Sequence, residues 1–320
     1  MAELKFKKVF IFLDTDKHAS SFDILSTIDV FPDAAVLKYE DVTAEDAERI
    51  VQDAMFPRGP VGAKHTKIFI NGHDFKRAND ILEKVKRSMF PPFELAIMID
   101  PRGAYSTAAA AVARTFSLSV EKELGSLEKK TVAILAGTGP VGQTAARLYA
   151  SEKANVVITS RSLQKASSLA TKIDEECGKE KVRGVEAQTA EEVGKAIETA
   201  DIILSAGAAG TNLLPLNVLK EHGRKCRIVA DINAIPPLGV EGLDSNSNGR
   251  EILPHIFGIG ALAIGKMKNK IEVELIKRVA AEPRGVFDYK TGYEIAKKLT
   301  LEKSEQKKTL DSEPPKYWLP

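Results

Sequence analysis

Thr131-Val-Ala-Ile-Leu-Ala-Gly137-Thr138-Gly139-Pro140-Val141-Gly142-Gln-Thr-Ala-Ala-Arg-Leu-Tyr149 is the stretch on which the fold turns. Thr131 to Leu135 has the composition of a buried strand, and the residues after Gly142 repeat their apolar positions with helical spacing. Between them stands G-x-G-x-x-G. Alone this is a weak signal, but here both flanks the motif requires are present. Gly137 permits the tight turn, Gly139 lets backbone approach a pyrophosphate, and Gly142 lets the helix sit close on the strand. The helix start then offers free N–H groups and a partial positive charge to phosphates. The bland alternative is a glycine-rich strand-to-helix turn with no ligand. The dinucleotide reading assigns Gly137, Thr138, Gly139, Pro140, Val141 and Gly142 to cofactor binding.

Working outward, the next strand, Asn155 to Thr159, ends about 20 residues beyond the glycines, where NAD enzymes commonly place a carboxylate for the ribose hydroxyls. This chain has Ser160 and Arg161, followed by Ser162 and Lys165. No acid is there to repel a 2′-phosphate, and a guanidinium can pair with one through two hydrogen bonds. Ser160, Arg161 and Lys165 therefore predict NADP over NAD, with a merely solvated Arg as the alternative. Two later strands end in small or polar residues, Ala206-Gly207-Ala208 and Asp231-Ile-Asn233-Ala234. In an open α/β sheet such carboxyl ends face the ligand crevice, which places these six among the cofactor contacts. Each is otherwise a tight turn.

The first third also alternates strands and helices: Val9 to Leu13, Ala35 to Leu37, Ile68 to Ile70 and Leu95 to Ile99 are separated by helical patterns from about Ser20, from Thr43 and over Asp74 to Arg87. A long helical pattern over Ser106 to Leu124, small-residue-rich at its start, leads into the polar turn Gly125 to Lys130. After Gly260 the pattern turns helical through Lys270 to Ala281, and a further helix is read over about Tyr293 to Leu299. The expected fold is α/β: an N-terminal α/β substrate domain, residues 1–125 with the returning 268–320, and a Rossmann-type NADP-binding domain, residues 126–267, with the active-site crevice between them. At 320 residues the chain is long enough for both. The 46 Lys and Arg nearly balance the 44 Asp and Glu, so no global field collects nucleic acid or anionic lipid. Cys177 and Cys226 lack metal or redox spacing, and no metal is expected. Without a signal-peptide pattern or a span of about 20 apolar residues, the chain reads as cytoplasmic. A crevice between domains and helical surfaces predict a homo-oligomer, with the tail Leu301 to Pro320 on the surface or against a neighbouring subunit.

Five ordered segments carry a resemblance: Asp16-Lys17-His18-Ala-Ser20-Ser-Phe22-Asp23; Met98-Ile-Asp100-Pro-Arg-Gly103-Ala-Tyr105-Ser-Thr107; Ala136 to Gly142; Ala230-Asp231-Ile-Asn233 through Gly242; and Gly258 through Gly265-Lys-Met-Lys268. Across most of its length the chain resembles the NAD(P)-dependent methylene-tetrahydromethanopterin dehydrogenases and, more distantly, the methylene-tetrahydrofolate dehydrogenases. The resemblance implies oxidation of a methylene bridge on a pterin carrier to a methenyl cation, with the hydride passed directly to the nicotinamide. The carrier nitrogens stabilise that cation, so positioning and electrostatics are the protein's main contribution. It implies an active-site lysine at Lys268, which follows a glycine-rich segment read as closing over the crevice. Asp23 and Thr107 join it as catalytic candidates, and Lys17, His18, Ser20, Phe22, Asp100 and Tyr105 are read as pterin contacts. The alternatives are an exposed helical Asp23, a solvated loop at Lys17 and His18, Thr107 as an N-cap, and Lys266, Lys268 and Lys270 as a basic patch. Arg58 is a weaker candidate for an acidic carrier tail.

Three rival readings stay open on sequence alone. A shikimate-dehydrogenase-like enzyme needs a Lys and Asp pair reaching a hydroxyl, and a methylene-tetrahydrofolate dehydrogenase needs Tyr and Lys at helical spacing in the first domain. A non-catalytic NADP sensor would bind cofactor without turnover.

Overall fold

The computed structural model describes residues 5–178 and 181–312. The first half comprises β1 (Val9–Asp14), α1 (Ser21–Val30), β2 (Ala35–Tyr39), α2 (Ala44–Met55), α3 (Gly59–Ala63), β3 (Thr66–Asn71), α4 (Phe75–Ser88), β4 (Ala96–Ile99) and α5 (Ala104–Glu121). The second comprises β5 (Thr131–Leu135), α6 (Pro140–Ser151), β6 (Asn155–Ser160), α7 (Leu163–Cys177), β7 (Val182–Glu186), α8 (Ala190–Ile197), β8 (Ile202–Ser205), α9 (Leu216–His222), β9 (Ile228–Asp231), β10 (Asn248–Leu253) and β11 (Ile256–Ile259). The chain then returns through α10 (Ala261–Ala281), β12 (Gly285–Phe287) and α11 (Tyr289–Ser312).

Two sheets result. The five-stranded sheet has the order β12-β4-β3-β1-β2 and is parallel throughout. The seven-stranded sheet has the order β10-β11-β9-β8-β5-β6-β7, parallel except at β10. In each sheet the strand order reverses beside its first strand, between β1 and β3 and between β5 and β8. Ligands of open parallel sheets bind beyond the carboxyl ends at such points.

Burial on both faces explains the unbroken apolar runs. All six residues of β3 and all four of β4 are buried, as parallel strands covered by helices must be. Helix ends are set locally. Ser20 caps α1 by accepting from the Asp23 amide, while Thr43 with Asp46 and Thr189 with Glu192 form full reciprocal capping boxes on α2 and α8. Helix α5 is the spine of the molecule. Ala108 to Val112 are fully buried there, and their small side chains let α6, α10 and α11 pack closely around it. Its Thr115 Oγ1 accepts from the buried Tyr149 hydroxyl of α6 at 3.0 Å, joining the two halves.

Several expectations are corrected. Helix α5 begins at Ala104 with Gly103 as its N-cap, so Thr107 lies one turn inside the helix and caps nothing. Helix α10 begins at Ala261, as the helical pattern after Gly260 predicts, and the glycine-rich segment before Lys268 is the end of β11 and the first turns of α10 instead of a flap over the crevice. That helix also runs through the expected domain boundary at 267/268, so the return between halves is continuous α-helix. Strands β7, β10, β11 and β12 were not anticipated; they occupy or adjoin sheet edges, where β7, β10 and β12 are too exposed for a continuous apolar run and β11 is a short buried strand interrupted by Gly258. Helix α11 extends to Ser312, beyond the short segment expected, and Trp318 lies outside the described residues.

Candidate active site

The glycine turn has the geometry its spacing demands. A Cβ on Gly142 would lie 2.6 Å from Gly137 Cα and 2.8 Å from its carbonyl carbon and oxygen, and one on Gly137 would meet Ile134 O and Ile158 Cγ2 at 2.9 Å. Strand, turn and helix therefore touch backbone to backbone. The Gly137 amide donates to Thr159 O at 2.9 Å, tying the turn to β6. Gly139 caps α6 without any side-chain hydrogen bond, and Pro140 opens the helix. The first-turn amides are thus left to an anion.

Beyond this turn lies a cavity of about 860 Å³. Thr138 to Val141 and Ala206 to Ala208 line it from β5 and β8, with Ser160, Arg161, Ser162 and Lys165 at the end of β6. Pro101, Arg102 and Ala104 line it from the first half. The small side chains and uncapped amides fit a dinucleotide. Asp231 and Asn233 have another use: Asp231 accepts from the Asn233 and Val240 amides at 3.1 and 3.2 Å, and Asn233 Nδ2 donates to Pro237 O at 3.0 Å. Both are buried loop supports, Ala234 is exposed, and of this segment Ile232 lines the cavity.

At the carboxyl ends of the first sheet a polar cluster forms. Asn71 Nδ2 donates to Asp23 Oδ2 at 2.6 Å, while its Oδ1 accepts from the Gly72 and Arg102 amides at 2.8 and 2.7 Å. Arg102, held with φ at 47°, reaches Asp16 through its guanidinium, and Asp16 also accepts from the His73 amide and ring. Burial opposes ionisation of Asp16, yet the bonds from His73 and Arg102 outweigh it and hold the carboxyl below its usual range. Asp100 is fully buried. Its Oδ1 accepts from the Tyr105 and Ser106 amides at 2.8 and 3.2 Å, and its Oδ2 has no partner. Desolvation pushes its carboxyl upward, partly offset by the Ser106 hydroxyl and Lys268.

Lys268 reaches this cluster from α10. Its ammonium pairs with Glu272 one turn on, stands 4.3 Å above the Phe22 ring, and has its Cε 3.0 Å from where a Cβ on Gly103 would sit. Glu272 is 1% exposed, with Oε1 unpartnered. Burial raises its carboxyl to about 7 against the opposing pull of Lys268, with Asp23 and Asp100 adding to the rise. Asp23 is 3% exposed, so the solvated-helix alternative does not hold for it.

The other candidates scatter. Ser20 is buried as the α1 cap, Phe22 presents an exposed ring, and Lys17 and His18 are exposed on the loop after β1. The Tyr105 hydroxyl donates to Asn79 Oδ1 at 2.9 Å and its ring packs against Phe75 and Tyr289, facing α4 and α11; its amide alone serves the cluster. Arg58 donates to Thr66 Oγ1 and Lys7 O at the amino end of β3, opposite the crevice, and is corrected to a structural clamp. Sequence reasoning missed Asn71, Arg102 and Glu272. Only Glu272 left a signal, an acid four residues after Lys268 inside the apolar pattern of α10.

Residues 21–102 match the family described as methylene-tetrahydromethanopterin dehydrogenase, N-terminal, and residues 119–241 match shikimate / quinate 5-dehydrogenase. The NAD(P)-dependent methylenetetrahydromethanopterin dehydrogenase of Methylorubrum extorquens is 32% identical over 88% of this chain and 94% of that protein. This chain belongs to that family. The bifunctional protein MdtA of the same organism is 35% identical over 92% of this chain and 99% of its own length. Among solved structures, quinate dehydrogenase from Corynebacterium glutamicum in complex with NAD is 13% identical with a TM-score of 0.49, covering 91% of this chain and 99% of that one. Among the described residues no group of His, Cys, Asp and Glu is placed to hold a metal, and no helix is long and apolar enough to cross a membrane.

Proposed function

We propose that the protein oxidises methylene-tetrahydromethanopterin with NADP, giving methenyl-tetrahydromethanopterin and NADPH in one-carbon metabolism. One observation carries this beyond family membership: a single cavity is lined both by the glycine turn and by Pro101, Arg102 and Ala104, which flank Gly103, the residue packed against Lys268. A hydride leaves the methylene carbon with its electron pair, and the carrier becomes an amidinium cation. Bound NADP supplies the hydride acceptor. The remaining work falls to side chains of this chain. Ser160, Arg161 and Lys165 favour the 2′-phosphate, Phe22 offers a face for the flat pterin, and Asp23, Asp100 and Lys268 set the charge around the reacting carbon. No proton needs to move in this step.

In this reading residues 1–125 with 268–320 hold the carrier, residues 126–267 hold the cofactor, and the chain works as a cytoplasmic homo-oligomer. The deciding experiment follows NADPH absorbance with methylene-tetrahydromethanopterin, with methylene-tetrahydrofolate and NAD run in parallel. Turnover with the methanopterin carrier and NADP supports the reading; NADP binding without turnover on either carrier overturns it.

A further inference from the structure

Lys268 and Glu272 lie on the same face of α10, where residues four apart are neighbours. What distinguishes the pair from a surface i,i+4 contact is its setting: the ammonium is 15% and the carboxylate 1% exposed. Burying an ion pair costs solvation that the pair's own attraction barely offsets, so its position needs a reason beyond stability. The carboxylate also keeps company that stability does not call for. Asp23 on α1 and Asp100 at the end of β4 act on it electrostatically, so the cluster of Asp23, Asp100, Glu272 and Lys268 holds three carboxylates and one ammonium, a formal charge of −2 if every one is ionised. Two oxygens in this group, Asp100 Oδ2 and Glu272 Oε1, have no hydrogen-bond partner.

We infer that Glu272 is a positioning residue: it anchors the Lys268 ammonium between Phe22 and Gly103, and its ionised form adds, beside Asp23 and Asp100, negative charge that favours the cationic form of a one-carbon carrier over the neutral one. The inference rests on the proposed activity for its substrate but on geometry for its anchoring role. Without the carboxylate, Lys268 has a flexible four-carbon stem and an exposed route toward Phe22, and it loses the single orientation that the cluster imposes. The negative excess acts on the transition state, where positive charge develops at the carbon between the two nitrogens.

The test uses the full-length enzyme with Glu272→Gln, which keeps shape and removes charge, and Glu272→Asp, which keeps charge and shortens reach. Loss of a hydrogen bond to a charged group lowers kcat/KM by about tenfold to a hundredfold in Glu272→Gln. Because the equilibrium between free reactants is fixed, kcat/KM falls by the same factor in both directions. The methenyl carrier loses more affinity than the methylene carrier, NADP affinity is unchanged, and Glu272→Asp recovers part of the rate. The inflection near neutral pH that Glu272 contributes to kcat/KM disappears in Glu272→Gln. A second readout needs no turnover. Modification of Lys268 by trinitrobenzenesulfonate, quantified by peptide mass spectrometry, is slow in the wild type and several-fold faster in Glu272→Gln. Unchanged kinetics and pH profile in Glu272→Gln overturn the inference, and so does an unchanged modification rate. A wild type that turns over neither carrier sinks the proposed activity instead, and the modification rate still decides the anchoring.

Discussion

Replacing Gly142 by alanine puts one methyl group where the structure has no room. The added carbon lies 2.6 Å from Gly137 Cα and 2.8 Å from Gly137 C and O, against the roughly 3.5 Å of a comfortable carbon contact. All three obstacles are backbone, and Gly137 is itself pinned against Ile134 O and Ile158 Cγ2 at 2.9 Å. The clash therefore cannot be relieved by a rotamer change and must push α6 away from the end of β5. Overpacking of this kind costs about 1–3 kcal/mol, which for a chain of 320 residues unfolding as one unit lowers Tm by roughly 1.5 to 4.5 °C. Helix displacement also misaligns the uncapped first-turn amides. Losing one charge-assisted hydrogen bond to the pyrophosphate raises the NADP Kd about tenfold to a hundredfold. The control is Gly292→Ala in α11, where the new methyl would meet Ile271, Ala109 and Leu275 at 3.5–3.7 Å, ordinary contact distances. A helix-interior Gly→Ala change that fits stabilises by about 0.5–1 kcal/mol. Thermal unfolding and NADP titration are measured for both. If Gly142→Ala keeps wild-type Tm and NADP affinity, the close-approach reasoning for this turn is refuted.

Two other perturbations test the site from its edges. Arg161→Ala is expected to weaken NADP about tenfold, the low end for a charged hydrogen bond because Arg161 is exposed, while NAD affinity changes by less than about twofold; equal losses for both cofactors would remove Arg161 from 2′-phosphate recognition. Asp16→Asn tests the loop clamp by pH. The carboxyl titrates below its ordinary 3.8 in the folded protein, so its ionised form stabilises the fold above that value and the contribution is lost as pH falls through the folded titration. The Tm gap between wild type and Asp16→Asn is therefore present at neutral pH and closes in acid; a gap that widens in acid contradicts the assignment.

How legible each feature is in the sequence depends on how locally it is encoded. The strand, turn and helix of residues 131–149 were legible because each glycine answers a constraint within a few residues of itself, and the Thr189 capping box for the same reason. The basic end of β6 was legible because the distance from the glycines to the ribose end is set by one strand-helix-strand unit. Lys268 came only with the resemblance, and the glycine-rich segment before it reads as a closing flap because Gly258, Gly260 and Gly265 look like loop residues when the packing of α10 on α5 is unknown. Tyr105 was placed at the pterin by its neighbours in sequence, whereas helix periodicity turns its side chain toward α4. Arg58 sat at the wrong end of a sheet whose strand order had not been established.

By itself the sequence determined two largely parallel sheets and the glycine turn between β5 and α6, since these follow from short-range periodicity and glycine spacing. Only the tertiary structure decided that Asp23, Asn71, Asp100, Lys268 and Glu272 form one buried cluster. Those residues arrive from four elements spread across 250 residues of chain (272 − 23 + 1). No local pattern encodes their meeting; it depends on strand order and on α10 returning to pack beside α1 and β4. Burial then gives the carboxylates an environment that no composition or spacing displays.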